Sequence, residues 1–202
     1  MSEERRLVEA ARGGDRAAVE ELIGRHLSAV RAFVRLNAGP RLRQREAQSD
    51  LVQSVCREIL ENLGRLEWQG EAAFRAWLFQ TARSKIVDRA RYWGTRKRAA
   101  EREVRLDRDE SASSLLGSYA TFCTPSQEAI LHEEQERIER AFAKLSPSHR
   151  RVVTLARIAG LPHKEIAEQL GMKENAVRQL LFRALAHLAL LLDRERGTGA
   201  KS

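Results

Sequence analysis

The chain has 202 residues, 43% hydrophobic and 32% charged with only four prolines, a globular composition sized for one large domain or two small ones. Its 36 Lys and Arg outnumber 28 Asp and Glu to leave +8, which favours a polyanionic partner: nucleic acid, a ribosome or a membrane surface. Two distant cysteines, Cys56 and Cys123, exclude a disulfide framework and a zinc-ligand cluster and suit a reducing cytoplasm.

No long apolar run follows Glu3, Glu4, Arg5 and Arg6, so no signal peptide is expected. The longest apolar stretch, Ala184 to Leu192, is broken by His187 and reads as too short to span a bilayer, so no membrane insertion is expected. Nowhere does polarity alternate long enough for a strand, and the expected class is all-α.

In chain order, Gly13-Gly14-Asp15 ends a short first helix, and Asp15 can cap a second that runs to about Leu36. Asn37 to Pro40 reads as a turn. Ser49 and Asp50 are both competent caps for a helix whose Leu51, Val52, Val55, Cys56, Ile59, Leu60 and Leu63 form one apolar stripe. Gln53, Arg57, Glu58 and Glu61 face away, and Cys56 is expected to be a buried thiol. Gly64 to Glu71 reads as a loop, and a further helix runs from about Ala72 past Arg91, closing a bundle near Arg98.

Within that last helix lies a cluster with chemistry. Six of the eleven aromatics fall between Trp68 and Trp93, and seven basic residues against one acid, Asp88, fall between Arg83 and Arg98. Trp77, Thr81, Ser84, Lys85, Asp88 and Arg89 share one polar face, opposite Leu78, Ala82, Ile86 and Ala90. Cations along a backbone and a ring for an unpaired base are what single-stranded nucleic acid requires. Phe74 and Phe79 read as core, whereas the pattern leaves Trp77 open between core and base contact.

Between Ala99 and Pro125 the periodicity fails, and a flexible tether is expected. A second bundle begins at Ser126 with Ile138, Ala141, Phe142 and Leu145 at core spacing. Ser146 caps the next helix, with Pro147 at its first position, and Val152, Val153, Leu155, Ala156 and Ile158 pack it until Gly160. Residues 163–183, HKEIAEQLGMKENAVRQLLFR, then read as two helices joined by a tight turn, the arrangement that places a helix in the DNA major groove. Ala167 is small where the helices cross, and Gly171 suits a left-handed corner. Val177 and Leu180 turn the second helix inward, while Ile166, Leu170 and Met172 fill the space between. Lys173, Asn175, Arg178, Gln179 and Arg183 remain outside as donors for base edges and phosphates. Leu181, Ala184, Leu188 and Leu191 carry the last helix to about residue 195, before a short tail, 196–202.

The chain thus reads as two helical bundles, 1–98 and 126–195, joined by a flexible linker, 99–125, with the helix-turn-helix in the second. This layout resembles the extracytoplasmic-function (ECF) sigma factors, promoter-recognition subunits of bacterial RNA polymerase. The matching runs are Ser49 to Cys56, Phe74 to Phe79 with Thr81 to Arg83, Leu145 to Val153, Gly160 to Gly171 and Glu174 to Ala184. In register they span roughly residues 7–98 and 126–192.

The resemblance implies roles. Asp50, Leu51 and Gln53 would dock on the polymerase core. The loop from Arg65 to Glu71 and the face of Trp77, Thr81, Arg83, Ser84, Lys85, Asp88 and Arg89 would capture the unwound minus-ten strand. Lys173, Glu174, Asn175, Arg178, Gln179 and Arg183 would read the minus-thirty-five element as duplex DNA. The tether would thread toward the RNA exit path, its Asp107, Asp109 and Glu110 mimicking nucleic acid. An anti-sigma factor or other inhibitor would hold the protein inactive, and the location would be cytoplasmic. Ser84 stands where the family often has Asn, and Gln179-Leu180 replaces a more polar pair; both departures bear on which promoter is read.

A stand-alone helix-turn-helix regulator would share the second domain without needing the basic-aromatic helix. A nucleic-acid enzyme would need a carboxylate cluster or an activated nucleophile. Asp50 and Asp88 are isolated, and His26, His132, His149, His163 and His187 lack ligand spacing, so no catalytic residue, metal or cofactor is expected. A helical adaptor with a basic face would show no preference for melted DNA.

Overall fold

A computed structural model describes residues 2–94 and 128–199. The expected tether, with Asp107, Asp109 and Glu110, and the tail beyond Gly199 lie outside the described residues. The chain divides into two compact units, Met1–Ala99 and Ala100–Ser202. Among the described residues every regular element is helical.

In the first unit, α1 (Glu3–Arg12) is capped by Ser2, whose hydroxyl accepts the Arg5 N–H at 3.3 Å. The chain turns through Gly14 at φ 86° into α2 (Arg16–Asn37). The Asp15 carboxylate accepts from Ala17 at 2.9 Å and from Ala18, the cap expected from the sequence. Leu7, Val8 and Ala11 of α1 lie on the same side and are buried, and α1 packs on α2. Pro40 opens a one-turn α3 (Pro40–Arg43) instead of merely ending the turn, consistent with proline's preference for a first helical position.

Helix α4 (Gln48–Leu63) starts two residues earlier than a Ser49 cap would place it. Ala47 occupies the cap position with no side-chain hydrogen bond, so Ser49 and Asp50 sit inside the first turn, where Asp50 instead complements the helix dipole. Leu51, Val52, Val55, Ile59 and Leu63 are buried, whereas Cys56 and Leu60 are only half-buried at the stripe's edge. Burial still pushes the Cys56 thiol up, away from the reactive thiolate. Helix α5 (Glu71–Gly94) packs on α2 and α4 through Phe74, Leu78, Phe79, Ala82 and Ile86. The expected stripe ends there: Ala90 is exposed, because the last turns of α5 run past the packed core.

The second unit begins with α6 (Glu128–Ala143), followed by Leu145; Ile138, Ala141, Phe142 and Leu145 are all buried, as their spacing predicts. Ser146 caps α7 (Pro147–Val153) by accepting the His149 N–H at 3.3 Å. The helix then widens into a π turn, Thr154–Ile158, which sequence periodicity did not predict. The Thr154 hydroxyl donates to the Arg150 carbonyl at 2.7 Å, and the Ala159 N–H reaches the Thr154 carbonyl. In the wider turn Leu155 and Ile158 are buried, as is Leu161 after it, while Ala156 is half-buried.

Helix α8 (His163–Leu170) and helix α9 (Glu174–Gly199) follow. Glu174–Glu195 is long and apolar enough by composition to cross a membrane, contrary to the reading from Ala184 to Leu192 alone. More than half of its 18-residue apolar window is buried inside the protein, where Leu181, Ala184, Leu185, Leu188 and Leu191 form the spine of this unit. Glu195 ties the helix back to Arg140 of α6, at 3.0 Å, and to Lys144 just beyond it.

One polar group lies in that spine. His187 is buried edge-on to the His149 ring, with centroids 6.0 Å apart. Burial, then the nearby Arg194 charge, lowers its pKa below 6.5. The unfolded chain therefore takes up the proton more readily, and His187 subtracts stability as pH falls through about 6.5. The melting temperature should drop on acidification below that point, and His187→Leu should flatten the drop; an unchanged slope would mean that the imidazole stays solvated.

Candidate nucleic-acid and polymerase interfaces

The first unit presents two faces. On α4, Asp50 and Gln53 are exposed and available to a docking partner. Leu51 is not: at 2% exposure it lies under the helix in the domain core. Its side chain packs beneath the helix that displays Asp50 and Gln53.

The second face is built on an aromatic ladder. Trp68 from the loop stacks on Phe74 with centroids 6.0 Å apart, and Phe74 stacks on Trp77 at 6.1 Å. His26 of α2 closes the ladder edge-on to Phe74 at 5.4 Å, and its Nε2 lies 2.7 Å from Glu4. Phe74 is the buried rung; Trp68 and Trp77 are half-buried and reach the surface on either side of it. The loop residues Arg65, Glu67 and Gln69 are exposed beside them.

Along α5 the predicted polar stripe is present, with differing availability. Arg83, Ser84 and Asp88 are exposed, and Thr81 is half-buried. Lys85 donates to Glu58 of α4 at 2.7 Å, and that bond draws the Glu58 carboxyl below its usual range. Arg89 is held by the nearly buried carboxylate of Glu46, which also accepts the Trp93 indole N–H at 2.9 Å. Two of the predicted cations are thus already partnered by carboxylates from neighbouring segments. Sequence spacing could not show this, because both partners lie at least 27 residues away.

In the second unit, the hinge of the helix-turn-helix is Gly171, at φ 63° and ψ 36°. A side chain there would meet the steric penalty of the left-handed region, so glycine is required by conformation. Ile166 and Val177 are fully buried and Ala167 nearly so, which locks α8 against the start of α9. Leu170 and Leu180 are half-buried. Met172 does not fill the space between the helices: it is 37% exposed, because the left-handed corner turns the chain outward just before it.

Lys173, just before α9, and Glu174, Asn175, Arg178, Gln179 and Arg183 on its first turns are all exposed. Arg178 is braced by Glu174 at 2.6 Å. Phe182 belongs with them, at 40% exposure. Its seven-residue spacing from Asn175 signals the same face, but a search for donors alone passes it over. An exposed ring there is suited to a thymine methyl group. Among the described residues no group of three or more His, Cys, Asp or Glu could hold a metal ion.

Comparison with known proteins places both units. Residues 22–95 match the family model for sigma-70 region 2, and residues 135–188 that for sigma-70 region 4. The chain is 28% identical over 182 residues to the ECF RNA polymerase sigma factor SigD of Mycobacterium tuberculosis, covering 90% of this chain and 80% of that protein. It is 28% identical over 191 residues to the RNA polymerase sigma factor CnrH of Cupriavidus metallidurans, covering 94% of each. A solved structure of CnrH in complex with the cytosolic domain of CnrY shares the fold, with a TM-score of 0.59 at 24% identity over 98% of this chain and 99% of that one.

A helical region 2 followed by a helix-turn-helix region 4 defines a promoter-recognition subunit of the sigma-70 type. The chain belongs to the ECF sigma factors: it binds RNA polymerase, recognises promoters and promotes transcription initiation.

Proposed function

We propose that the two units divide promoter recognition between an unpaired strand and a duplex. The observation that carries this reading is the contrast between their faces. The first unit offers rings on an aromatic ladder beside hydrogen-bonding side chains, and the second offers donors on the outside of a helix-turn-helix.

Trp77 stacks on a base of the melted minus-ten strand, while Thr81, Arg83, Ser84, Lys85, Asp88 and Arg89 contact its backbone and edges. Lys85 and Arg89 exchange their carboxylate partners for DNA on binding, so phosphates compete with Glu58 and Glu46. Asp50 and Gln53 dock α4 on the polymerase core. Lys173, Glu174, Asn175, Arg178, Gln179 and Arg183 read the minus-thirty-five duplex, with phosphate contacts making the affinity salt-dependent. Residues 1–98 and 126–195 act as the two domains, 99–125 as the linker and 196–202 as a tail. Linking two weak DNA contacts raises the effective concentration for the second, and capture of flipped bases shifts the population toward open DNA.

The protein catalyses nothing itself and works in the cytoplasm, where the polymerase is. CnrH is solved with the cytosolic domain of CnrY, and a second protein on a relative of this fold supports an anti-sigma partner here.

The test is co-elution of the purified chain with sigma-free bacterial core polymerase, followed by transcription on a pool of genomic promoter fragments. Starts preceded by two shared elements at one spacing are expected. Tight duplex binding by the chain alone, without core association, would instead indicate a stand-alone regulator.

A further inference from the structure

The C-terminal end of α5 exposes two rings that neither proposed interface uses. Tyr92 is 69% exposed and Trp93 42%, side by side at 5.0 Å and nearly perpendicular, at 83°. A contiguous pair of exposed rings offers a broader stacking surface than a single scattered one. This pair is also held in place. The buried Glu46 carboxylate fixes the Trp93 indole and Arg89 together, and the Arg89 guanidinium lies 6.0 Å from the centre of the Tyr92 ring. Arg91 is largely exposed beside them.

Tyr92 continues a line already drawn on the helix. Trp77, Thr81, Lys85, Asp88 and Tyr92 recur at steps of four, four, three and four, one stripe along α5. Fifteen residues of helix separate its aromatic ends, about 22 Å. Both ends present a ring, and the side chains between them hydrogen-bond or carry charge.

We propose that Tyr92 and Trp93 form a second stacking site for an unpaired base of the same DNA strand, beyond the nucleotides that face Trp77. This rests on the strand-capture role of α5. The flanking Arg89 and Arg91 supply cations for the backbone on either side of the stacked base, the pairing of ring and charge that tracks a single strand irrespective of sequence. Glu46 is a positioning residue for the site: it holds the indole edge beside the exposed Tyr92 ring.

The test uses holoenzyme reconstituted from the full chain and core polymerase, on a promoter that the wild-type holoenzyme selects from genomic fragments. Single 5-iodouracils are placed along the non-template strand, and photo-adducts are mapped to peptides. Adducts on Tyr92 or Trp93 are expected from a nucleotide different from the one that reaches Trp77. Tyr92→Ala should shorten open-complex lifetime about tenfold, and Tyr92→Phe, which keeps the ring, should restore it. Adducts at Trp77 with none at Tyr92 or Trp93 would overturn the second site and leave the strand face standing. Adducts at none of the three rings would overturn the strand face itself. Loss of core binding by Tyr92→Ala would assign the pair to a protein interface and overturn the proposal as well.

Discussion

Phe74→Ala should destabilise the first unit by about 3–5 kcal/mol, the usual result of truncating a fully buried aromatic ring. Phe74 is 1% exposed and contacts three other rings, those of His26, Trp68 and Trp77. Its loss opens a cavity beneath the ladder and frees both tryptophans to rotate. Thermal unfolding of the full chain reads the first effect, and open-complex formation on promoter DNA reads the second; both should fall. The control is Trp77→Ala. Trp77 is half-buried, so its variant should fold and bind core while open-complex stability drops by about 1–3 kcal/mol, the contribution of one stacked base. Equal losses in duplex binding and in open-complex formation by Trp77→Ala would remove the strand-capture role. A Phe74→Ala protein that melts like wild type would show that the ladder is not a structural unit.

Arg178→Ala should weaken recognition of the upstream duplex by about 1–3 kcal/mol, roughly 5- to 150-fold, and relax selectivity at one base pair. Arg178 projects from the first turns of α9, more than half exposed, with its guanidinium steadied by Glu174 at 2.6 Å. Because that pair is exposed, losing it costs the fold little. The expected pattern is normal melting, normal co-elution with core, and reduced binding to minus-thirty-five duplex within holoenzyme. A fall in core binding would move α9 from DNA recognition to polymerase docking.

Most of the secondary structure is legible in the sequence because it rests on local physics. Asp15 accepts the two amide protons its position implies, and Ser146 followed by Pro147 starts a helix where the pair predicts one. Gly171 adopts the left-handed corner that its place between two amphipathic segments demands. The buried residues of α6 and α9 follow a helical period, so core and surface separate on inspection. The cap of α4 is not legible for the converse reason: two good caps, Ser49 and Asp50, stand side by side, yet the helix takes its cap two residues before the first of them, at Ala47, which has no capping side chain.

The candidate sites are less legible, since exposure depends on what another element covers. Leu51 and Asp50 are neighbours in a matched motif, yet one is core and the other surface. Met172 looked apolar enough to be interior, but a single left-handed residue before it decided otherwise. In sequence Tyr92 and Trp93 are two aromatics of a cluster; only the end of the packed core along α5 shows that they are exposed.

By itself, then, the sequence determined the all-helical class, the helix-turn-helix with its outward donors, and the basic-aromatic helix, because periodicity, capping and charge are local properties of a chain. Only the tertiary structure decided which cations are already engaged and which rings are stacked. Lys85 meets Glu58 across 27 residues, Arg89 meets Glu46 across 43, and Trp68, Phe74 and His26 converge from three segments. Such pairings are made where α2, α4, α5 and the loops that carry Glu46 and Trp68 pack on one another, and no spacing within a single helix encodes them.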